Sequence, residues 1–195
     1  MKEVYKKIWE LAMPYYIKGR PMDIDHIEWM MQDAEIVCQQ EKIDDFLLLP
    51  LVILHDVGYS INRGTDKLQF DPDFKTIHMK DGAKIAKEIL NRVDYPKEKI
   101  EKISYYISVH DNWCLGDDSV YQNDTILHTF NDLDYMWMAA PKGFIALKKQ
   151  LGKNDKEMIK FLEENDKPVK RPFTTKTTKK LYEDYLLERK KESGL

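Results

Sequence analysis

The stretch LLLPLVILHDVGY, residues 47–59, is the most apolar run in a chain that is 33% charged, and it closes on two ionisable side chains, His55 and Asp56. Every position from Phe46 to Leu54 is apolar. A helix formed there has no face suited to water and belongs at the centre of a helical bundle. A buried carboxylate without partners costs several kcal/mol, so a His-Asp ending survives only if it is hydrogen-bonded, charge-paired or bound to a cation. Taken alone, the dipeptide is better read as a helix end that reaches water, or as an aspartate that fixes a histidine ring.

Around this run the pattern stays helical. The chain has 195 residues but only eight glycines, and apolar residues recur at three- and four-residue spacing almost throughout, which predicts an all-α fold with one core. Helices are expected near 2–18, with Pro14 bending the first, then 24–40, 44–58, 74–93, 97–110, 119–138, 142–150, 155–164 and 177–191. Asp23, Asp44 and Asn154 are candidate N-caps, Pro96 suits a first turn, and Gly58 can end the central helix. The connection 59–74 lacks periodicity, and loops of that length in compact domains tend to be functional.

Composition narrows the function. The 31 basic and 34 acidic residues are interspersed and sum to −3, which argues against nucleic acid or an anionic membrane as partner and for a small molecule. The locally basic run KPVKRPFTTKTTKK, 167–180, reads as a solvated connection into the last helix. No apolar run approaches the roughly 20 residues of a membrane span. The opening MKEVYKKIWELAMPYY carries charges where a signal peptide would be apolar, so a cytoplasmic location is expected. Cys38 and Cys114 fit no CxxC site and read as buried, reduced thiols.

The histidines raise the significance of His55-Asp56. In 24–40, Ile24, Ile27, Met31, Ala34 and Cys38 form one apolar stripe, and His26, Met30 and Val37 lie beside it. His78 is in line with Gly82, Ile85 and Ile89, and His110 follows Ile100, Ile103 and Ile107. Four inward histidines on four helices of one small bundle are hard to satisfy without a metal. His128 shares its face with Asp124, Thr125 and Asp132 and reads as a surface or supporting residue. On the same helix Leu127, Phe130, Asp134 and Trp137 point inward, so Asp134 is the candidate acidic ligand, and Asp132 reads as solvated or as a partner of His128. Imidazoles and carboxylates without thiolates suit Zn, Mn, Fe and related divalent ions, with Ni or Co possible and Mg a poorer match. His26, His55, Asp56, His78, His110 and Asp134 exceed the needs of one ion and suffice for two. Successive helical residues diverge by about 100°, so Asp56 is expected to bridge two ions rather than chelate one beside His55.

The segments DIDHIEWMMQDA, LVILHDVGYS, HMKDGAKIAKEIL, ISVHDNW and FNDLDYMW place a histidine, a His-Asp pair, two histidines and a late aspartate in an order that resembles the HD superfamily of metal-dependent phosphohydrolases. The likeness runs from about Asp25 to Trp137. It implies a single all-α domain over 1–195, with a metal-binding core at about 23–140 and a helical extension at about 141–195. It also implies that His26, His55, Asp56 and Asp134 hold one metal, that His78 and His110 supply a second, and that Asp56 and His55 serve catalysis. Many members carry lysine where this chain has Tyr59. Tyr59, Arg63 and Lys80 are the candidate substrate contacts; Lys67 and Lys75 are further cations that read more simply as surface charge. Tyr105, Tyr106 and Trp113 read mainly as packing residues. The expected activity is cleavage of a small phosphate ester or nucleotide by a metal-activated water, with Asp111 and His128 as candidates to protonate the leaving group. A diiron oxygenase of the same fold and a non-catalytic nucleotide-binding module are the competing readings.

Overall fold

The computed structural model describes residues 1–61 and 71–195, and among them it is built from helices alone. In order these are α1 (Glu3–Lys18), α2 (Asp23–Glu41), α3 (Asp45–Leu54), α4 (Pro72–Arg92), α5 (Lys97–Val109), α6 (Ser119–Gln122), α7 (Thr125–Met136), α8 (Pro141–Gln150), α9 (Asp155–Glu163), α10 (Lys167–Lys170) and α11 (Lys176–Glu192). Two 3-10 turns, Val57–Ser60 and Asn112–Leu115, follow α3 and α5. None of the described helices is long and apolar enough to cross a membrane.

The α3 helix, apolar from Phe46 onward, is the axis of the bundle. Leu47 through Leu54 are all buried, and α1, α2, α5 and α7 pack around the helix. Asp44 caps its start by accepting from Phe46 N at 3.0 Å. Near its end, the orphan carbonyl of Ile53 accepts from Tyr16 Oη at 2.8 Å. The helix expected over 44–58 stops at Leu54 instead, because the chain tightens into the 3-10 turn at Val57.

Gly58 does not end that helix; it lets two backbones meet. A Cβ there would lie 1.9 Å from the His78 carbonyl oxygen and 2.6 Å from Gly82 N, so any side chain would push α4 off the turn. Gly19 makes a matching contact from the other side, since a Cβ on it would stand 2.7 Å from Ser60 N. The turn after His55-Asp56 is thus clasped between α4 and the end of α1.

The remaining expectations divide. Asn154 caps α9 with a reciprocal Glu157 contact, whereas Asp23 is the first residue of α2 and caps nothing. The helix expected over 119–138 is broken between α6 and α7, where Asp124 turns back to accept from Ile126 N and Leu127 N. The basic run at 167–180 is not simply solvated. Lys167 is buried against Asp132, and Arg171 reaches Asn131 and Asp118. Through these contacts, and through Tyr185 Oη on both oxygens of Asp33 at 3.0 Å, the C-terminal helices close over α2 and α7.

Asp33 gives a pH-dependent prediction. Burial raises its pKa from 3.8 to about 6, with the Tyr185 hydrogen bond opposing. The folded state therefore holds a proton that the unfolded chain has already released, and stability falls as pH rises from about 4 through 6. Asp33→Asn, which cannot ionise, is expected to be more stable than wild type by about 1–2 kcal/mol at pH 8 and nearly equal to it at pH 4, as read by chemical denaturation at both pH values.

Candidate metal centre

His55 and Asp56 occupy the bend between α3 and its 3-10 turn, with φ/ψ of −60°/−37° and −102°/5°. His55 keeps helical φ/ψ, and its Nε2 lies 3.5 Å from Asp56 Oδ2. The same construction recurs at the end of α5, where His110 and Asp111 have φ/ψ of −62°/−26° and −105°/16° and lead into the second 3-10 turn. His55 Nδ1 is 3.0 Å from the Val52 carbonyl, and His110 Nδ1 is 2.8 Å from that of Ile107. His78 Nδ1 makes a longer contact, 3.4 Å, with Phe74 O.

These contacts set the tautomers. A carbonyl oxygen only accepts, so each Nδ1 carries the hydrogen and each neutral ring presents a lone pair at Nε2. The Nε2 atoms converge on Asp56. His78 and His110 stand 3.6 and 3.5 Å from Oδ1, while His55 faces Oδ2. His26 Nε2 is 3.3 Å from Asp134 Oδ1. Two compact triads result, His26–His55–Asp134 and Asp56–His78–His110, each with ligand atoms within 4.8 Å of one another. All six residues expected as ligands are therefore brought together, and all but Asp134 are buried.

The electrostatics are those of a cation site. His78 Nε2 and His110 Nε2 are 3.3 Å apart, so two lone pairs face each other unless a cation lies between them. His26 Nε2 and His55 Nε2 are buried and make no hydrogen bond among the described residues. Burial pulls the His55 pKa down, but Asp56 overrides it and the group stands at about 9. Burial and the neighbouring His110 drive His78 down to about 3. Asp56 itself lies well below the usual carboxylate range despite its burial, chiefly because His55 faces it. Free lone pairs in a dry pocket around an ionised carboxylate fit a divalent ion.

A family model for the HD domain matches residues 23–140. The chain belongs to the HD-domain family. No curated protein and no solved structure matches it. The matched span takes in all six residues of the two triads.

Within this HD domain the other expected residues are distributed unevenly. Tyr59 is buried and stacks on His78, centroids 4.2 Å apart and planes 5° from parallel, with the Arg20 guanidinium 4.4 Å from its ring centroid. Lys80 is exposed on α4. Arg63 and Lys67 lie outside the described residues. Lys75 is not a surface charge; it is buried and bonds to Asp111, whose Oδ2 is 3.5 Å from His78 Nε2. That pairing, with His110 and His78 beside it, holds Asp111 ionised against its burial. His128 belongs to neither triad. Tyr106 is buried, whereas Tyr105 and Trp113 reach the surface. Cys38 is buried and Cys114 half-buried, and neither joins the triads.

Asp132 is not solvated. It is fully buried, paired with Lys167, and accepts from Thr174 N at 2.7 Å and Thr178 Oγ1 at 3.0 Å. The two aspartates of α7 should therefore separate stability from metal. Asp132→Ala strands a buried ammonium and is expected to cost about 3–5 kcal/mol. Asp134→Ala, at a partly exposed position, should leave metal-free stability within about 0.5 kcal/mol while lowering the metal retained. Denaturation in chelator and elemental analysis of each variant read the two effects.

Proposed function

We propose that the chain is a phosphohydrolase acting on a small phosphate ester or nucleotide, with two divalent ions held around Asp56. His26, His55 and Asp134 would hold one ion, and His78 and His110 the other, with Asp56 between them. The observation that carries this reading is the division of the Asp56 carboxylate between two sets of imidazoles. Ions in such a pair lower the pKa of water toward neutrality and neutralise charge on phosphoryl oxygens.

The chain's own groups would do the rest. The backbone carbonyls of Val52 and Ile107 lock the imidazole tautomers and orient the rings, which supports ligand basicity. The apolar α3 keeps the inner side of the centre dry, so charge there is poorly screened. Arg20, partly buried over Tyr59, would attract an anionic substrate.

A screen of nucleotides and sugar phosphates with Mn, Co, Fe or Zn is expected to give phosphate release. Asp56→Ala should lower that release by at least about a hundredfold, the scale of losing an electrostatic element of a transition-state site. Release that is unchanged in Asp56→Ala would overturn the proposal. Oxygen consumption without phosphate release from any tested ester would transfer the ligand set to the diiron oxygenase reading.

A further inference from the structure

Beside the two triads, buried polar atoms of Asp23 and Tyr59 have no hydrogen-bond partner among the described residues, and of the two only Asp23 carries a carboxylate. Asp23, 3% exposed, has an Oδ2 with no hydrogen-bond partner among the described residues. Its other oxygen is taken by Arg20 Nη2, 3.0 Å from Oδ1. A ligand atom of Asp23 lies within 4.8 Å of one from His26 and one from Asp56, and these two residues also lie within 4.8 Å of each other. A desolvated carboxylate oxygen without a partner is costly, and on a residue grouped this closely with His26, whose Nε2 is also without a partner, and with Asp56 it has an evident use.

The placement is built into the backbone. Gly19 passes so close to Ser60 that no side chain would fit, which pins the α1–α2 link to the turn following Asp56. Arg20 then lies over Tyr59 while holding Asp23 Oδ1, which leaves Oδ2 without a partner. Arg20 also offsets part of the added negative charge.

We propose that Asp23 is a metal ligand of this centre, with Oδ2 joining His26 and Asp56 around one divalent cation and Arg20 serving as its positioning residue. The inference rests on the reading of the centre as metal-binding. Its trio contains two carboxylates and one imidazole, whereas Asp56–His78–His110 contains one carboxylate and two imidazoles. The Asp23 side is thus richer in oxygen and suits a harder ion such as Mn²⁺, and the opposite side suits a borderline ion such as Zn²⁺.

Asp23→Asn tests this, because its side-chain oxygen can still accept from Arg20 while its amide nitrogen cannot ligate. The probe is Mn²⁺ alone, titrated against full-length protein and read from the electron paramagnetic resonance of the free ion. Visible absorption of the Co²⁺-loaded protein is the second readout. Asp23→Asn is expected to weaken Mn²⁺ binding at one site by about 10- to 100-fold and to alter the Co²⁺ bands. Asp25→Asn, at an exposed residue paired with Lys142, should match wild type. If wild type binds Mn²⁺ and Asp23→Asn has the same affinity and Co²⁺ spectrum, the Asp23 assignment is overturned and the metal reading stands. If wild type binds neither ion, both fall. Should Asp23→Asn fail to fold in chelator, Arg20→Gln takes its place, with weakened Mn²⁺ binding supporting the assignment and unchanged binding overturning it.

Discussion

The structure depends on one carboxylate held where water cannot solvate it. Asp56 sits at the end of an apolar helix, buried, with imidazole nitrogens about 3.5 Å from each of its oxygens. That arrangement is stable only with positive charge nearby, which a protonated His55 supplies in part, since Asp56 raises its pKa, and which neutral imidazoles such as His78 do not. The local fold meets the geometric half of the requirement. The 3-10 turn redirects the chain after Leu54, Gly58 and Gly82 let α4 carry His78 against that turn, and α5 brings His110 from the opposite side.

The other buried carboxylates show by contrast what is particular about this one. Asp132 has the Lys167 ammonium, Asp111 has Lys75, and Asp23 has Arg20 on one of its oxygens. Asp56 has no lysine or arginine as an ion-pair partner among the described residues, only histidines. Charge is therefore neutralised by the chain around the rim and beneath the C-terminal helices, and left open at the centre. This places the demand for an added cation at the same point as the imidazole lone pairs. It also explains why α10 and α11 matter to the matched region, since Lys167 and Thr178 occupy the Asp132 oxygens and keep that carboxylate out of the site.

Much of this was legible in the sequence because helical period and burial agree. The apolar rows before His55 and His110, and the four-residue steps after His78, put those imidazoles inward, whereas the phase of α7 misjudged burial, since Asp132 is fully buried and Asp134 partly exposed. What the pattern could not show was the environment of Asp132, because its lysine lies 35 residues away in a segment whose composition resembles a solvated tail. The end of α3 was also hidden, since Gly58 was the local signal for a helix end and the helix stops before it, after Leu54. Arg20 and Asp23 are neighbours at i,i+3 spacing, but nothing local reveals that Gly19 docks them on the Asp56 turn. A signal for Asp111 was present, as a second His-Asp pair closing a second apolar row.

The most direct test of the account is anomalous diffraction from crystals of the full-length protein grown with Mn²⁺. The account predicts two strong peaks about 3.5–4 Å apart, the spacing of paired catalytic ions, with one oxygen of Asp56 directed to each. A map with no peak between the imidazoles, or with a single ion that Asp56 does not contact, would contradict it.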